Sequence, residues 1–407
     1  MTSTLRDIAV VGAGTAGCAA ALFLARAGHR VTLYERFVDP NPLGAGIVLQ
    51  PTGLAVMSLL GLEAPMLESA ERLDRLWCTT PSNRTIVDLS YEVVSPQAFG
   101  LGLHRGVLFR ALFDAVRAQP GITVRLGIAC EDLVETPRGV VLLDRSAGER
   151  HGPHEMVVVC NGARSSLRDD TAHHKRVTKY PWGALWAVLP DRELHYRGVL
   201  RQVVNGTRRL IGLLPTGRGP TGDDRLVSLF FSLRGDQLDA FRAGDFGVWK
   251  SSVVRDLPES KPVVEKLGGP GDLLFSEYHD VVMWPWNTGR VVYLGDSAHA
   301  TSPQLGQGCN LALLDAWVLS QNLAAHPVLH DALYAYSTER RSHLGWYQFI
   351  TRWLTPFFQS DLWPLGLFRD VVFGPSTSVP FVKRQMVEAM AGISRGPLAR
   401  VLKLPSR

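Results

Sequence analysis

The sequence predicts an α/β fold of two interleaved parts, closed by C-terminal helices. Three observations carry that reading: an apolar strand, glycine turn, helix and second strand within residues 7 to 36; a strand-rich stretch from 180 to 285; and a return at 291 to an apolar strand that runs through a second glycine-rich turn into a helix. The strand-rich stretch interrupts the other two, so the expected domain boundaries are discontinuous. A chain of 407 residues with 46% apolar and 20% charged content can bury a core of that size.

The first segment, "DIAVVGAGTAGCAAALFLARAGHRVTLYER", reads as a buried strand, a turn, an amphipathic helix closed by Gly28, and a second strand ending at Glu35. This is a Rossmann-like GxGxxG unit. Gly12 allows the tight turn, Gly14 leaves room for a pyrophosphate against the backbone, and Gly17 lets helix and strand approach. The helix N-terminus offers free amides and partial positive charge to phosphates. Glu35 stands where an acid accepts hydrogen bonds from a ribose, which favours FAD or NAD over NADP at this site.

Beyond Glu35 the regular alternation stops. Residues 44 to 62 read as a Gly-rich loop leading into an apolar helix, and 102 to 118 as a short strand feeding a helix with Arg105 at the junction. Residues 122 to 144 read as two or three strands, and 154 to 170 as a buried strand that breaks at Asn161-Gly162 into a basic turn. From 180 to 285 the segments "WGALWAVLP", "GVLRQVVNG", "RRLIGLLPTG" and "RLVSLFFSLR" read as strands. Tyr180, Trp182, Trp186, Trp284 and Trp286 are candidates for a pocket wall there, although aromatics in a sheet more often fill plain core. Residues 346 to 374 are aromatic and apolar but broken by Arg352, Asp361 and Arg369; they are expected to pack as helix on the body, with a membrane-surface or partner patch as the alternative.

Composition narrows the function. The net charge of +5 is spread along the chain without a basic stripe, which argues against a nucleic-acid partner. No uncharged apolar run is long enough for a transmembrane segment. The start "MTSTLRDIAVVGAG" lacks the pattern of a secretory signal, and five scattered cysteines without C-x-x-C spacing suit a reducing cytoplasm and no metal site.

"GAGTAG" with Glu35 and Arg36, the "CNGARSSLR" turn, and "GDSAHATSPQLGQGCNLALLDA" together resemble the three signatures of the single-component FAD-dependent aromatic hydroxylases. These are the group A flavoprotein monooxygenases typified by para-hydroxybenzoate hydroxylase. The resemblance runs from residue 7 to about 345 in order and spacing. One position departs: Asn161 stands where the family has Asp before Gly.

The resemblance implies one FAD held by both glycine turns, with Gly12, Gly14, Ala16, Gly17, Glu35 and Arg36 in the first. In the second, Asp296 accepts from the ribityl chain, Gly306 and Gly308 let the backbone lie against the isoalloxazine ring, and the helix beginning near Asn310 points its positive end at the ring. Arg105 is implied near the FAD and the 44 to 50 loop beside the ring. His299, a lone His without a paired acid, reads as a turn residue.

The implied arrangement is an FAD-binding domain from 1–75, 100–178 and 280–330, a β-rich substrate domain from 76–99 and 179–279, and a C-terminal helical segment from 331–407. The implied reaction is NAD(P)H-dependent hydroxylation of an aromatic or other electron-rich small molecule by O2 through a flavin hydroperoxide, with NADH or NADPH as co-substrate. With one dinucleotide fingerprint, the nicotinamide is a transient visitor. No catalytic side chain is assigned, and a homo-oligomer stays open. The alternatives are a flavin-dependent halogenase or other FAD oxidoreductase of the same fold, and an FAD-binding protein without turnover; the W-x-W-x-I-P of halogenases is missing.

Overall fold

The computed structural model describes residues 5–41, 44–168, 174–397 and 399–404. The strand Asp7–Val11 is buried because Ile8, Ala9, Val10 and Val11 have no polar side chain to satisfy, and it becomes the centre of a six-stranded sheet. It pairs in parallel with Arg30–Glu35 on one side and Met156–Val159 on the other, Val10 lying opposite Leu33 and Val158. Ile122–Leu126 extends one edge. Val291–Tyr293 extends the other, pairing in parallel with Met156–Val159, and Asn287–Thr288 folds back on it antiparallel. The late strand therefore joins the same sheet as the first, as the sequence predicts.

A nine-stranded mixed sheet forms the second layer. In spatial order it runs Leu274–Trp284, His174–Pro190, Arg225–Arg234, Arg209–Arg218, Gly198–Asn205, Glu71–Thr79, Gly100–His104 and Gly46–Leu49, with Thr85–Ser90 paired to Glu71–Thr79. Two features differ from the expected reading. Part of the 44 to 50 loop is the strand Gly46–Leu49, antiparallel to Gly100–His104; the aliphatic run Ile47-Val48-Leu49 suits a pleated surface. Within the stretch read as strands, Leu238–Ala243 and Phe246–Asp256 are helices. Asp245 caps the second by accepting from Gly247 N at 2.8 Å and Val248 N at 3.1 Å.

Strand alternation divides the sheet's two faces. Phe231 joins Leu213, Leu229, Val253 and Leu257 in a core under those helices, whereas its neighbour Phe230 faces Phe357, Phe358, Phe373 and Met390 of the C-terminal helices. Those helices are Leu329–Phe358, Trp363–Ser376 and Pro380–Met390. The stretch 346 to 374 thus packs on the body with Tyr347, Phe357, Phe358 and Phe373, and leaves Trp353, Trp363, Leu367 and Phe368 exposed. Among the described residues, no helix is long and apolar enough to cross a membrane.

Candidate functional site

The two glycine turns meet. The helix Thr15–Arg26 packs against the helix Gly308–Ala325, and Gly295 sits where they start: a Cβ added there would lie 3.2 Å from Ala16 Cβ and 3.1 Å from Ala312 Cβ. Small side chains at Ala16 and Ala312 are what permit the approach. Gly17 meets the first turn even more closely, since its Cβ would fall 1.8 Å from Gly12 O, and Gly12 itself has φ +101°.

Both helices open onto one cavity of about 930 Å³. Gly14, Thr15 and Ala16 line one end of it, and Gly306, Gln307, Gly308 and Cys309 line another stretch. The first amides of each helix have no intrahelical acceptor, so two positive dipole ends face the same space. Gly14 has an ordinary φ of −73° and nothing within 4 Å of an added Cβ. Asp296 lines the cavity with an exposed carboxylate that has no hydrogen-bond partner among the described residues. Arg105 also lines it, at the start of the helix Arg105–Ala118, and its N–H donates to Ala45 O at 3.1 Å.

Two predicted residues, Glu35 and Asn310, hold the frame. Glu35 is buried at the strand end and accepts from Ala13 N at 2.8 Å and Phe37 N at 3.1 Å; a carboxylate has capacity for a further donor. Arg36 is exposed, with its guanidinium over the Phe37 ring. Asn310 is fully buried: Oδ1 accepts from Gln50 N at 2.9 Å, while Nδ2 donates to Val48 O at 3.1 Å and Gly306 O at 3.0 Å. Its side chain ties the 46–49 strand to the second turn, leaving only its backbone amide for a ligand.

His299 corrects the sequence reading. It is buried and paired: Nε2 donates to Asp315 Oδ2 at 2.5 Å, and Asp315 Oδ1 accepts from Arg340 Nε at 2.8 Å. Arg340 Nη1 in turn donates to His343 Nδ1 at 2.8 Å, and His343 Nε2 donates to Gly392 O at 2.9 Å. Burial pushes the Asp315 carboxyl up, but His299 and Arg340 outweigh it and hold the group at about 2. The signal in the sequence was an acid inside the apolar run "NLALLDA".

A second brace was also missed. Arg168, in the basic turn after Asn161-Gly162, donates through Nε to Ser297 O at 2.6 Å and through Nη2 to Ala163 O at 2.8 Å. It therefore staples the middle signature to the turn that carries Asp296. Asn161 keeps a buried Oδ1 with no hydrogen-bond partner among the described residues.

The rest of the cavity is mostly apolar. Of the five sheet aromatics named from sequence, Trp186 alone lines it; Trp284 and Trp286 belong to the main core. Much of the wall comes instead from Phe230, Leu354, Phe358 and Phe373. Burial pushes the Cys309 thiol to about 12, so it is no thiolate at neutral pH. An FAD fits these residues: open room beside Gly14 for a pyrophosphate, an unpartnered acid at Asp296 for a hydroxyl, and amides at the second turn for an anionic ring edge.

Comparison with known proteins agrees. A family model described as "FAD binding domain" matches residues 6–346. Kynurenine 3-monooxygenase of Salinispora arenicola is 30% identical over 363 residues, covering 83% of this chain and 76% of that protein. A protein of Rhodococcus erythropolis described as "Probable 2-heptyl-3-hydroxy-4(1H)-quinolone synthase" is 28% identical over 337 residues, covering 81% and 83%. The solved structure of 2-methyl-3-hydroxypyridine-5-carboxylic acid oxygenase, a tetrameric form, superposes with a TM-score of 0.73 at 23% identity, over 91% of this chain and 98% of that one.

Proposed function

We propose a division of labour within one cavity for this chain, which belongs to the FAD-binding domain family and is an FAD-dependent monooxygenase of the aromatic-hydroxylase type. When bound, FAD supplies the two-electron reduction by NAD(P)H and the activation of O2 that delivers one oxygen atom to an aromatic substrate.

The amides of Thr15, Ala16 and Gly17 hold the pyrophosphate beside Gly14, and Glu35 takes the ribose. Asp296 accepts from the ribityl chain. The amides of Gly308, Cys309 and Asn310 stabilise negative charge at the ring edge without reorganising. Arg105 adds positive charge on the same side. Gly306, at φ +61°, lets the backbone turn under the ring without a side chain in the way. The apolar wall keeps water from the reacting atoms, so no side chain need act as a nucleophile.

The observation that carries this reading is the pair of helix N-termini facing one cavity that continues into an apolar chamber. Purified protein is expected to be yellow, or to take up added FAD, and to oxidise NADH or NADPH faster when a phenolic compound is present. A protein that takes up no FAD overturns the reading. One that binds FAD yet is reduced by neither nucleotide with any aromatic compound is a flavin-binding protein without this turnover.

A further inference from the structure

We propose that the substrate is an uncharged aromatic ring carrying an extended apolar substituent, seated between the nine-stranded sheet and the C-terminal helices. This rests on the monooxygenase reading above and adds the chemical class of the substrate.

Charge is the first argument. Four charged side chains line the cavity among the described residues: Arg75, Arg105, Glu277 and Asp296. Arg105 and Asp296 stand at the flavin end. Arg75 is spent on Asp88 through two hydrogen bonds, at 2.6 and 2.8 Å, and Glu277 is spent on Lys179 at 2.5 Å. Among the described residues, every charged side chain that lines the chamber beyond the flavin end therefore already has an ion-pair partner. Burying an ion there without a partner is strongly disfavoured.

The uncommitted polar groups in the chamber are neutral. Gln202 has no side-chain hydrogen bond among the described residues. Gln304 donates to Gln359 Oε1 at 2.8 Å, which leaves its own Oε1 able to accept. Gln304 lies two residues before Gly306, near the reacting end, where a phenolic hydroxyl or ring N–H can meet it.

Shape completes the case. The apolar wall includes Leu76, Val87 and Leu210 of the sheet and, packed in one cluster with them, Leu354, Phe373 and Met386 of the helices. A dry cavity of about 150 Å³ suffices for benzene. The space here is about 930 Å³, so even with the flavin ring inside it a single compact ring leaves much apolar wall uncovered.

The test is calorimetric titration of the FAD-loaded protein with 4-ethylphenol, 4-butylphenol, 4-hexylphenol and 4-hydroxybenzoate, which needs no turnover. Each added methylene is expected to tighten binding about fourfold, and 4-hydroxybenzoate is expected to bind at least tenfold more weakly than 4-butylphenol. Met386→Trp, which fills part of the space this wall encloses, should weaken 4-hexylphenol at least tenfold and 4-ethylphenol less; Val382→Trp, at another lining residue of the same helix, serves if that variant misfolds. A flat chain-length series, or tighter binding of 4-hydroxybenzoate, overturns the proposal. The two readings fail separately: a yellow, NAD(P)H-oxidising protein that prefers 4-hydroxybenzoate refutes the substrate class alone, whereas a protein that takes up no FAD refutes the reaction.

Discussion

Asp315 accepts the backbone N–H of Gly295 at 3.0 Å, so a buried carboxylate on the second glycine-turn helix holds the strand end that carries Asp296. The same carboxylate meets His299 and Arg340. Asp315 is thus a positioning residue: it touches none of the cavity, yet it fixes the turn that lines it.

Replacing Asp315 by Asn removes the charge that balances Arg340 inside the core. Breaking one side of a buried pair costs about 3 to 5 kcal/mol, so urea unfolding of the FAD-free variant should show a loss of that order. The carboxyl's ordinary value is 3.8 and its folded value is about 2. Its contribution is therefore complete above pH 3.8 and lost as pH falls toward 2, worth about 2 kcal/mol in the wild type and nothing in the variant. Equal acid sensitivity in both proteins would assign the effect elsewhere.

His343 should govern a higher pH window. Burial, then Arg340, holds its imidazole down to about 3 from an ordinary 6.5. Its neutral form is required, because Nδ1 accepts from Arg340 while Nε2 donates to Gly392 O. A folded value below the unfolded one means stability that is complete above pH 6.5 and lost as pH falls, with a slope of about 1.4 kcal/mol per pH unit. His343→Gln keeps an acceptor and a donor but does not titrate. Its stability, read from urea midpoints between pH 7 and 4.5, should fall less steeply by about that slope.

Gly14→Val separates binding from folding. The added Cβ meets nothing within 4 Å and the backbone φ of −73° is ordinary, so the FAD-free variant should match the wild type's stability within about 1 kcal/mol. The side chain fills the room proposed for the pyrophosphate. Flavin absorbance after dialysis against excess FAD should vanish; retained flavin would place the phosphates elsewhere.

How much of this was legible in the sequence follows from range. The first βαβ unit is local, and its glycines, periodicity and acid lie within about thirty residues, so strand, helix and strand follow directly. The strand at 291 was legible because four consecutive apolar residues before Gly-Asp suit a parallel sheet buried on both faces. The braces were not. Asp315 joins Gly295, His299 and Arg340, and Arg168 joins Ala163 to Ser297. No spacing rule brings those groups together. The chamber wall was not legible for a related reason: Phe230 faces the cavity and Phe231 the opposite core, a choice set by register and not by composition.

Asp296→Ala removes an unpartnered acceptor that lines the cavity. A hydrogen bond of this kind contributes about 0.5 to 3 kcal/mol, so FAD binding, followed by flavin fluorescence on dilution, should weaken roughly 2- to 150-fold. Because the carboxylate makes no bond to the described residues, the FAD-free protein should be no less stable. Unchanged FAD affinity would leave Asp296 as a turn residue only.

Asn161 tests the source of electrons. Its buried Oδ1 finds no donor among the described residues, in a turn that Arg168 fastens to the Asp296 segment. Asn keeps the shape of the family's Asp and one acceptor, but it lacks the charge that would repel the phosphates of an approaching nicotinamide. The wild-type protein should therefore remain reducible by NADH or NADPH. Asn161→Asp should change the anaerobic reduction rate or the nucleotide affinity by no more than about 1.4 kcal/mol, tenfold. The competing account is that this turn has lost its nicotinamide role and a partner reduces the flavin. Stopped-flow mixing of the oxidised protein with each nucleotide, with and without 4-butylphenol, separates the two. Flavin that stays oxidised in every mixture, while added reduced flavin supports hydroxylation, would show that the electrons come from elsewhere.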